Sequence, residues 1–228
     1  METLQIRDLK CEIAGAPGAE RIVYLIYPAV VGVSDAFLKR MVEKYKTPVA
    51  VVYVPGDQWN NYLTPWPEPP EEKGFPPFGG NAADFGKILV EEVIPRVEKE
   101  AGISPGAERD IVGVSLSGLF ALWQWMQHDT FKSAAFLSGS FWYDGFLEWF
   151  ESMPVPKKTG KAYFLLGRQE PKAKIQAYRS VGVNTEKIVD RLGSSGIATT
   201  FQWVPGNHFS DPVGRLELAF SHLMSSNM

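Results

Sequence analysis

The stretch Gly113-Val114-Ser115-Leu116-Ser117 places a serine between an apolar run and a second apolar run with helical spacing. It nearly matches Gly-x-Ser-x-Gly, the nucleophile elbow, in which a strained strand-to-helix turn lifts the serine hydroxyl above the edge of a sheet. Residues two positions either side must be small because strand and helix pack closely there. Gly113 meets this demand, whereas Ser117 departs from the motif. The pattern predicts acyl transfer through Ser115, and the alternative is a serine that only caps a helix.

A serine hydroxyl needs a general base, and the chain contains three histidines. His128 ends the helix predicted after Ser115, and His222 lies inside the last predicted helix, so we interpret both as structural. His208 lies in WVPGNHFSD, between the last predicted strand and the last helix. A base in this position would meet the serine at the same edge of the sheet. We therefore predict that His208 is the base, and the alternative is a histidine that stabilises the Pro-Gly-Asn turn.

The base needs an orienting carboxylate, expected between the serine and the histidine in chain order. Glu170 follows the predicted strand KAYFLLG by a few residues and would reach the same edge. Asp144 follows the preceding strand, and Asp190 lies in a helical pattern typical of a solvated face. Asp211 fits the cap of the final helix. Glu170 is the predicted acid, with Asp190 and Asp144 as its rivals.

Backbone N–H groups are expected to stabilise the oxyanion. Leu116 begins the helix after Ser115, so its N–H would point toward the charge that develops beside the serine. A second donor is expected from Ala29 or from its neighbour Val30, in the segment YPAVVG. The choice between these two stays open.

Aromatic and amide side chains in two loops are the expected substrate contacts. These loops follow predicted strands and should lie at the carboxyl edge of the sheet. The candidate contacts are Trp59, Asn61, Trp142 and Tyr143. Each aromatic alone fits core packing equally well, but as a group they favour an apolar or aromatic ester.

Strands and helices alternate along the chain, which predicts one α/β domain over residues 1–228 with a mostly parallel central sheet and helices on both faces. Predicted strands cover residues 3–13, 20–27, 47–54, 109–114, 132–139, 161–167 and 198–204. Predicted helices cover residues 34–45, 82–100 with a bend near Pro95, 116–128, 144–153, 184–193 and 212–224. A Pro-, Gly- and aromatic-rich break spans residues 55–81, and its length predicts a functional loop near the site.

Composition excludes several classes of function. The net charge is -3 and no basic stripe is present, so nucleic acid is not an expected partner. Cys11 is the single cysteine, which rules out a disulfide within the chain and suits a reducing compartment. The start METLQIRDLK lacks a signal-peptide layout and no apolar run has transmembrane length, so we expect a cytoplasmic protein without a membrane partner.

The same survey predicts which ligands the protein binds. No Cys/His cluster indicates a metal and no glycine-rich loop indicates a nucleotide, so no metal or other cofactor is expected. The expected partner is a small-molecule ester. The sequence does not predict the oligomeric state, and a homodimer is one of the alternatives.

Several segments resemble the esterase family of α/β hydrolases that includes esterase D, the siderophore esterases and the mycolyltransferase antigens. They are LTPWP, GGNAADFGKILVEEVIPRVE, VGVSLSGLFALW, FLSGSFWYD, LLGRQEP and PGNHF. The likeness covers about residues 21–211. It implies the α/β-hydrolase fold and ester hydrolysis, with Ser115 as nucleophile, His208 as base and Glu170 as the residue that orients the base.

The chain departs from this family in three places. Ser117 replaces a glycine, YPAVVG lacks the His-Gly often found at the oxyanion loop, and QWNNY lacks the arginines of siderophore esterases. The sequence predicts a serine carboxylic-ester hydrolase that forms an acyl-serine with an apolar or aromatic ester. The alternatives are a catalytically silent binding protein on the same fold and an acyltransferase that uses the same triad.

Overall fold

The computed structural model describes residues 1–15 and 17–225 and contains one large sheet covered by helices on both faces. The strands are β1 (Glu2–Ile6), β2 (Leu9–Ala14), β3 (Arg21–Pro28), β4 (Val49–Val54), β5 (Pro67–Glu68), β6 (Phe78–Gly79), β7 (Glu108–Val114), β8 (Ser133–Leu137), β9 (Lys161–Gly167) and β10 (Ala198–Val204). The α-helices are α1 (Asp35–Tyr45), α2 (Trp59–Tyr62), α3 (Ala82–Ile88), α4 (Ile94–Glu100), α5 (Leu116–Gln127), α6 (Phe146–Ser152), α7 (Val181–Ser194) and α8 (Pro212–Met224).

The large sheet has the strand order β1-β2-β4-β3-β7-β8-β9-β10. Strand β2 is antiparallel to both of its neighbours, β1 and β4. The other neighbouring strands of this sheet, in the order β4-β3-β7-β8-β9-β10, are all parallel. The predicted mostly parallel α/β sheet is therefore confirmed. Because β7, β8, β9 and β10 are parallel neighbours, the loops that follow them leave from one edge of the sheet.

Alternate residues of the strands feed two cores, as the period of a strand requires. In β8, Phe136 packs into the core covered by α3 to α7, whereas Leu137 packs into the core under α1 and α8. Both cores are apolar, which explains why the strand sequences are nearly continuous runs of apolar residues. The ends of the strands are thereby fixed from both faces.

The prediction of one strand over residues 3–13 was wrong. The structure contains an antiparallel hairpin in which Ile6 pairs with Leu9 across a tight turn. Arg7 adopts φ +54° to make this turn. A glycine or asparagine would have indicated the turn, but an arginine in the left-handed region gives no such signal.

The long segment between β4 and α3 is ordered around its aromatic side chains. It contains the short helix α2 and the paired strands β5 and β6. Tyr62 stacks on Phe85 with ring centroids 5.2 Å apart, and Phe78 meets Tyr143 edge-on, also at 5.2 Å. These contacts pin the segment to the core.

Helices α3 and α4 form one interrupted element, joined by a π-helical turn at Leu89–Val93. The turn ends two residues before Pro95, which has no N–H to donate to the carbonyl of Glu91. The sequence predicted a bend near Pro95, and the structure has a π-helical turn directly before this residue. Within the described residues, no helix is long and apolar enough to cross a bilayer.

The centre of the larger core generates a stability prediction. Phe164 of β9 is fully buried and lies 4.6 Å from Phe136 and 5.9 Å from Phe141, measured between ring centroids. Phe164→Ala should lower the free energy of unfolding by about 3–5 kcal/mol, because it leaves a cavity among large rings. Urea denaturation measures this change. Phe75→Ala is the control, since Phe75 is 48% exposed and should shift stability by no more than ~0.5 kcal/mol. A loss for Phe164→Ala as small as the control's would contradict this packing.

Candidate active site

Ser115 lies at a sharp turn between β7 and α5. Its backbone has φ +60° and ψ -126°, a conformation that costs energy for any residue with a side chain. Backbone hydrogen bonds hold it there. The Ser115 N–H donates to the carbonyl of Leu137 at 3.0 Å, and the carbonyl of Ser115 accepts from the N–H groups of Ser140 (3.1 Å), Gly118 (2.9 Å) and Leu119 (3.1 Å). The turn leaves Ser115 partly exposed between two buried elements.

Glycines make this turn possible. A Cβ on Gly113 would overlap the backbone carbonyl of Ser117, and a Cβ on Gly118 would lie 2.9 Å from the Cα of Gly139. Strand, helix and neighbouring loop therefore approach as closely as the elbow requires, and the demand for small residues falls on Gly113 and Gly118.

Ser117 is accommodated at the position where the elbow motif has glycine. Its side chain is fully buried, accepts a hydrogen bond from the Val114 N–H at 2.7 Å and lies 2.8 Å from the carbonyl of Ile26, to which it can donate. The hydroxyl thus joins the elbow to β3. This departure from the motif adds polar contacts within the turn.

The structure brings Ser115, His208 and Glu170 together at the carboxyl ends of β7, β10 and β9. The Nε2 atom of His208 lies 3.1 Å from the Ser115 Oγ, and its Nδ1 atom lies 2.9 Å from the Glu170 Oε2. The His208 side chain is 31% exposed, whereas that of Glu170 is 5% exposed. A carboxylate on Nδ1 fixes the tautomer in which Nε2 accepts the serine proton.

The rival histidines and acids lie elsewhere. His128 is exposed at the end of α5, and His222 stacks on Tyr163 at 4.7 Å. Asp144 and Asp190 are both exposed. Asp211 caps α8 by accepting a hydrogen bond from the N–H of Gly214, as predicted.

Glu170 is buried but held as a carboxylate. Its Oε1 atom accepts hydrogen bonds from Ser138 Oγ (2.7 Å), the Gly167 N–H (2.7 Å) and Arg215 Nη1 (3.1 Å). Burial raises the pKa of Glu170, but the hydrogen bonds and charge of His208 and the hydrogen bonds from Ser138 and Gly167 outweigh it, so the pKa lies below its ordinary value. Only Oε2 remains to face His208.

Arg215 is the site residue that sequence reasoning missed. It comes from α8, is 5% exposed, and donates to Ser138 Oγ at 2.5 Å and to the carbonyl of Asn207 at 2.6 Å. It therefore links Glu170 to the turn that carries His208. The signal was an arginine on the stripe of α8 that also carries Ala219, a position where a helix normally places an apolar residue.

The two alternatives for the second oxyanion donor differ in the structure. Leu116 begins α5, so its N–H has no acceptor within the helix. The Ala29 N–H donates to the carbonyl of Val54 at 3.0 Å and is thus committed to the edge of the sheet. The prediction that Ala29 donates to the oxyanion is therefore wrong. Val30 follows it, and its N–H has no acceptor among the described residues.

Ser115 and His208 line a cavity of about 620 Å³. Trp142, one of the predicted substrate contacts, also lines it, and its ring centroid lies 4.3 Å from that of Tyr178. Phe209, which is 86% exposed and meets the ring of His208 edge-on, completes the apolar rim. The cavity is large enough for a small ester with an apolar body.

The other predicted contacts lie outside this cavity, which corrects those expectations. Tyr143 is 2% exposed, and its hydroxyl donates to the carbonyl of Trp66 at 2.6 Å. Asn61 accepts a hydrogen bond from the Asn81 side chain at 2.6 Å and so braces its own loop. Trp59 packs, partly buried, against the core. Tyr143 is thus part of the core, Asn61 and Trp59 are partly buried within the long segment, and none of the three lines the cavity.

The segment 55–81 packs against residues that line the cavity. Phe78 packs against Trp142 with ring centroids 6.2 Å apart, and Trp142 lines the cavity. The segment is described throughout, and none of its residues lines the cavity itself. The segment therefore supports the wall of the cavity without forming part of it.

Comparison with known proteins bears on the family and the fold of the chain. A family model described as "Putative esterase" matches residues 31–192. YbbA of Bacillus subtilis, an uncharacterised protein, is 24% identical over 135 residues, which are 58% of this chain and 54% of YbbA. The match thus spans about half the length of that relative.

Two solved structures share the fold. The siderophore hydrolase EstB of Aspergillus nidulans has a TM-score of 0.77 and 19% identity over 98% of this chain and 94% of its own. An IroE-like serine hydrolase of Shewanella oneidensis has a TM-score of 0.79 and 17% identity over 98% and 79%. The α/β-hydrolase fold predicted from the sequence is confirmed.

The network around Glu170 generates a second prediction. Arg215→Met should lower the free energy of unfolding by about 3–5 kcal/mol near neutral pH, since it leaves the Glu170 carboxylate buried without its guanidinium partner. The pKa of Glu170 is lowered in the folded state, so the stability it contributes is present above its ordinary pKa and is lost as the pH falls through the lowered value. The loss caused by the substitution should therefore shrink in acid.

Urea denaturation in steps from about pH 7 to about pH 2 tests this coupling, because the range must extend below the lowered pKa of Glu170. Arg168→Met is the control, because Arg168 is exposed beside the same strand end. A loss that stays constant across this range would contradict the link between Arg215 and the charge of Glu170.

Proposed function

The chain belongs to the "Putative esterase" family, and on that premise we propose that it is a serine carboxylic-ester hydrolase that acts through an acyl-serine on an apolar or aromatic ester. The observation that carries the proposal is the continuous contact from Ser115 Oγ to His208 at 3.1 Å and from His208 to Glu170 at 2.9 Å. The residue types, their chain order and their burial fit nucleophilic catalysis by serine.

In the acylation step, His208 Nε2 removes the proton from Ser115 Oγ as that oxygen attacks the ester carbonyl. The carbonyl oxygen becomes an oxyanion, which the N–H groups of Leu116 and Val30 stabilise. The tetrahedral intermediate then expels the alcohol, which takes its proton from His208. The acyl group remains on Ser115.

In the deacylation step, water replaces the alcohol. His208 removes a proton from the water as it attacks the acyl carbonyl, and it returns that proton to Ser115 Oγ when the acid product leaves. Glu170 stabilises the imidazolium that forms in each step. Because Ser138, Gly167 and Arg215 hold its other oxygen, it keeps the imidazole in one orientation throughout.

The cavity supports an apolar or aromatic substrate. The apolar part of its lining consists of Trp142, Tyr178, Val181 and Phe209, beside the polar residues Gln169, Lys174 and Asn207, and Ser115 and His208 line the same cavity. Aromatic rings provide large apolar contact area at little cost in side-chain entropy. An ester with an aliphatic or aromatic body would bury its apolar surface against this wall.

Ser115→Ala should lower kcat/KM for p-nitrophenyl butyrate by at least about a thousandfold, because no other group can form the acyl intermediate. Its melting temperature should stay close to that of the unmodified protein. Ser221→Ala is the control, since Ser221 is exposed on α8, and it should retain activity. A Ser115→Ala variant that keeps most of the activity would refute the nucleophile.

Ser115 and His208 should act as one unit. His208→Ala should cause a loss comparable to that of Ser115→Ala, and the double variant should be hardly slower than either single variant, since each removes the same proton-relay chemistry. Steady-state kinetics on p-nitrophenyl butyrate measures the three losses. Losses that multiply in the double variant would show that the residues act independently.

A further inference from the structure

Ser140 carries a polar group that the mechanism above leaves unused. The residue is 1% exposed, and its Oγ has no hydrogen-bond partner among the described residues. It lines the same cavity as Ser115. A hydroxyl buried without a partner is unfavourable and is uncommon in folded proteins. Its position on the wall of a substrate-sized cavity indicates a group that acquires its partner from a ligand.

A comparison with Ser138 shows that burial beside this cavity does not by itself leave a serine hydroxyl without a partner. Ser138 is also 1% exposed and also lines the cavity. Its Oγ, however, donates to Glu170 and accepts from Arg215. The hydroxyls of these two serines therefore differ in their hydrogen bonds. That of Ser138 is bonded to Glu170 and Arg215, whereas that of Ser140 is free to bond a ligand.

The backbone holds Ser140 beside the nucleophile. Its N–H donates to the carbonyl of Ser115 at 3.1 Å. A substrate atom that reaches its hydroxyl must therefore lie near the reacting carbonyl. The adjoining wall is apolar, because Trp142 and Tyr178 stand with ring centroids 4.3 Å apart and Val181 is buried beside them. An apolar wall with a few polar groups, here Ser140 together with Gln169, Lys174 and Asn207, is the usual composition of a small-molecule site.

We infer that Ser140 is a specificity-determining residue whose hydroxyl hydrogen-bonds an oxygen or nitrogen atom of the ester close to its carbonyl, while the apolar body of the substrate packs on Trp142 and Tyr178. This inference rests on the proposed function. A serine hydroxyl donates to an ether or carbonyl oxygen and accepts from an N–H or O–H group, so it recognises either kind of heteroatom. A substrate with carbon at that position leaves the hydroxyl buried and unpaired.

Pairs of esters that differ by one oxygen-for-methylene exchange test the inference. On the acyl side the pair is p-nitrophenyl methoxyacetate and p-nitrophenyl butyrate. On the alcohol side the pair is 2-methoxyethyl phenylacetate and butyl phenylacetate. Within each pair, the ratio of kcat/KM values is compared between proteins, which cancels the difference in intrinsic reactivity of the two esters.

Ser140→Ala should lower the ratio of the oxygen-containing ester to its carbon analogue roughly tenfold in one of the two pairs, since one neutral hydrogen bond is lost. The pair that responds identifies whether the heteroatom belongs to the acyl part or to the alcohol. Ser221→Ala should leave both ratios unchanged, and Ser140→Thr, which keeps a hydroxyl, should restore part of the preference. Ratios in Ser140→Ala equal to those of the unmodified protein for both pairs would overturn the inference.

Two further measurements keep this result interpretable. Labelling of Ser115 by a fluorophosphonate in each variant reports an intact nucleophile, and its failure in the unmodified protein would count against the proposed function instead. If Ser140→Ala does not fold, Ser140→Cys replaces it, because a thiol has nearly the same shape but is a weak hydrogen-bond donor. The same fall in one ratio is then expected, and its absence in the folded Cys variant again overturns the inference.

Discussion

The carboxylate of Glu170 is the group around which this structure is organised. Burial in the interior opposes its charge, yet its pKa is lowered, because the hydrogen bonds and charge that favour the ionised form outweigh burial. Its donors come from the end of β9, from the loop after β8 and from α8. One buried charge therefore ties together three parts of the chain. His208 attaches to the remaining oxygen, and its position is set by this network.

The parallel sheet supplies the geometry in which that network forms. Strands β7, β8, β9 and β10 are consecutive neighbours, so the residues that follow their carboxyl ends are neighbours as well. The order along the sheet brings Ser115, Ser138, Ser140, Glu170 and His208 together at one edge. Apolar cores on both faces fix the strand ends, which allows the sheet to hold Ser115 in a backbone conformation that would otherwise be unfavourable.

Sequence reasoning recovered what depends on chain order and missed what depends on packing. The motif around Ser115 and the positions after the last strands were enough to predict His208 and Glu170. That the Ala29 N–H is bonded to Val54 depends on the pairing of β3 with β4, which the sequence does not reveal. Trp59 and Tyr143 look the same in sequence whether they face a substrate or the core. Arg215 was hidden in a helical pattern, since a charged residue is normally placed on the exposed face.

Covalent labelling tests the central claim most directly. The folded protein would be treated with a fluorophosphonate, and tandem mass spectrometry of its peptides would locate the adduct. The account predicts one phosphonyl group per chain, attached to Ser115, because the imidazole of His208 activates that hydroxyl. An unlabelled folded protein, or an adduct on a different residue, would contradict it.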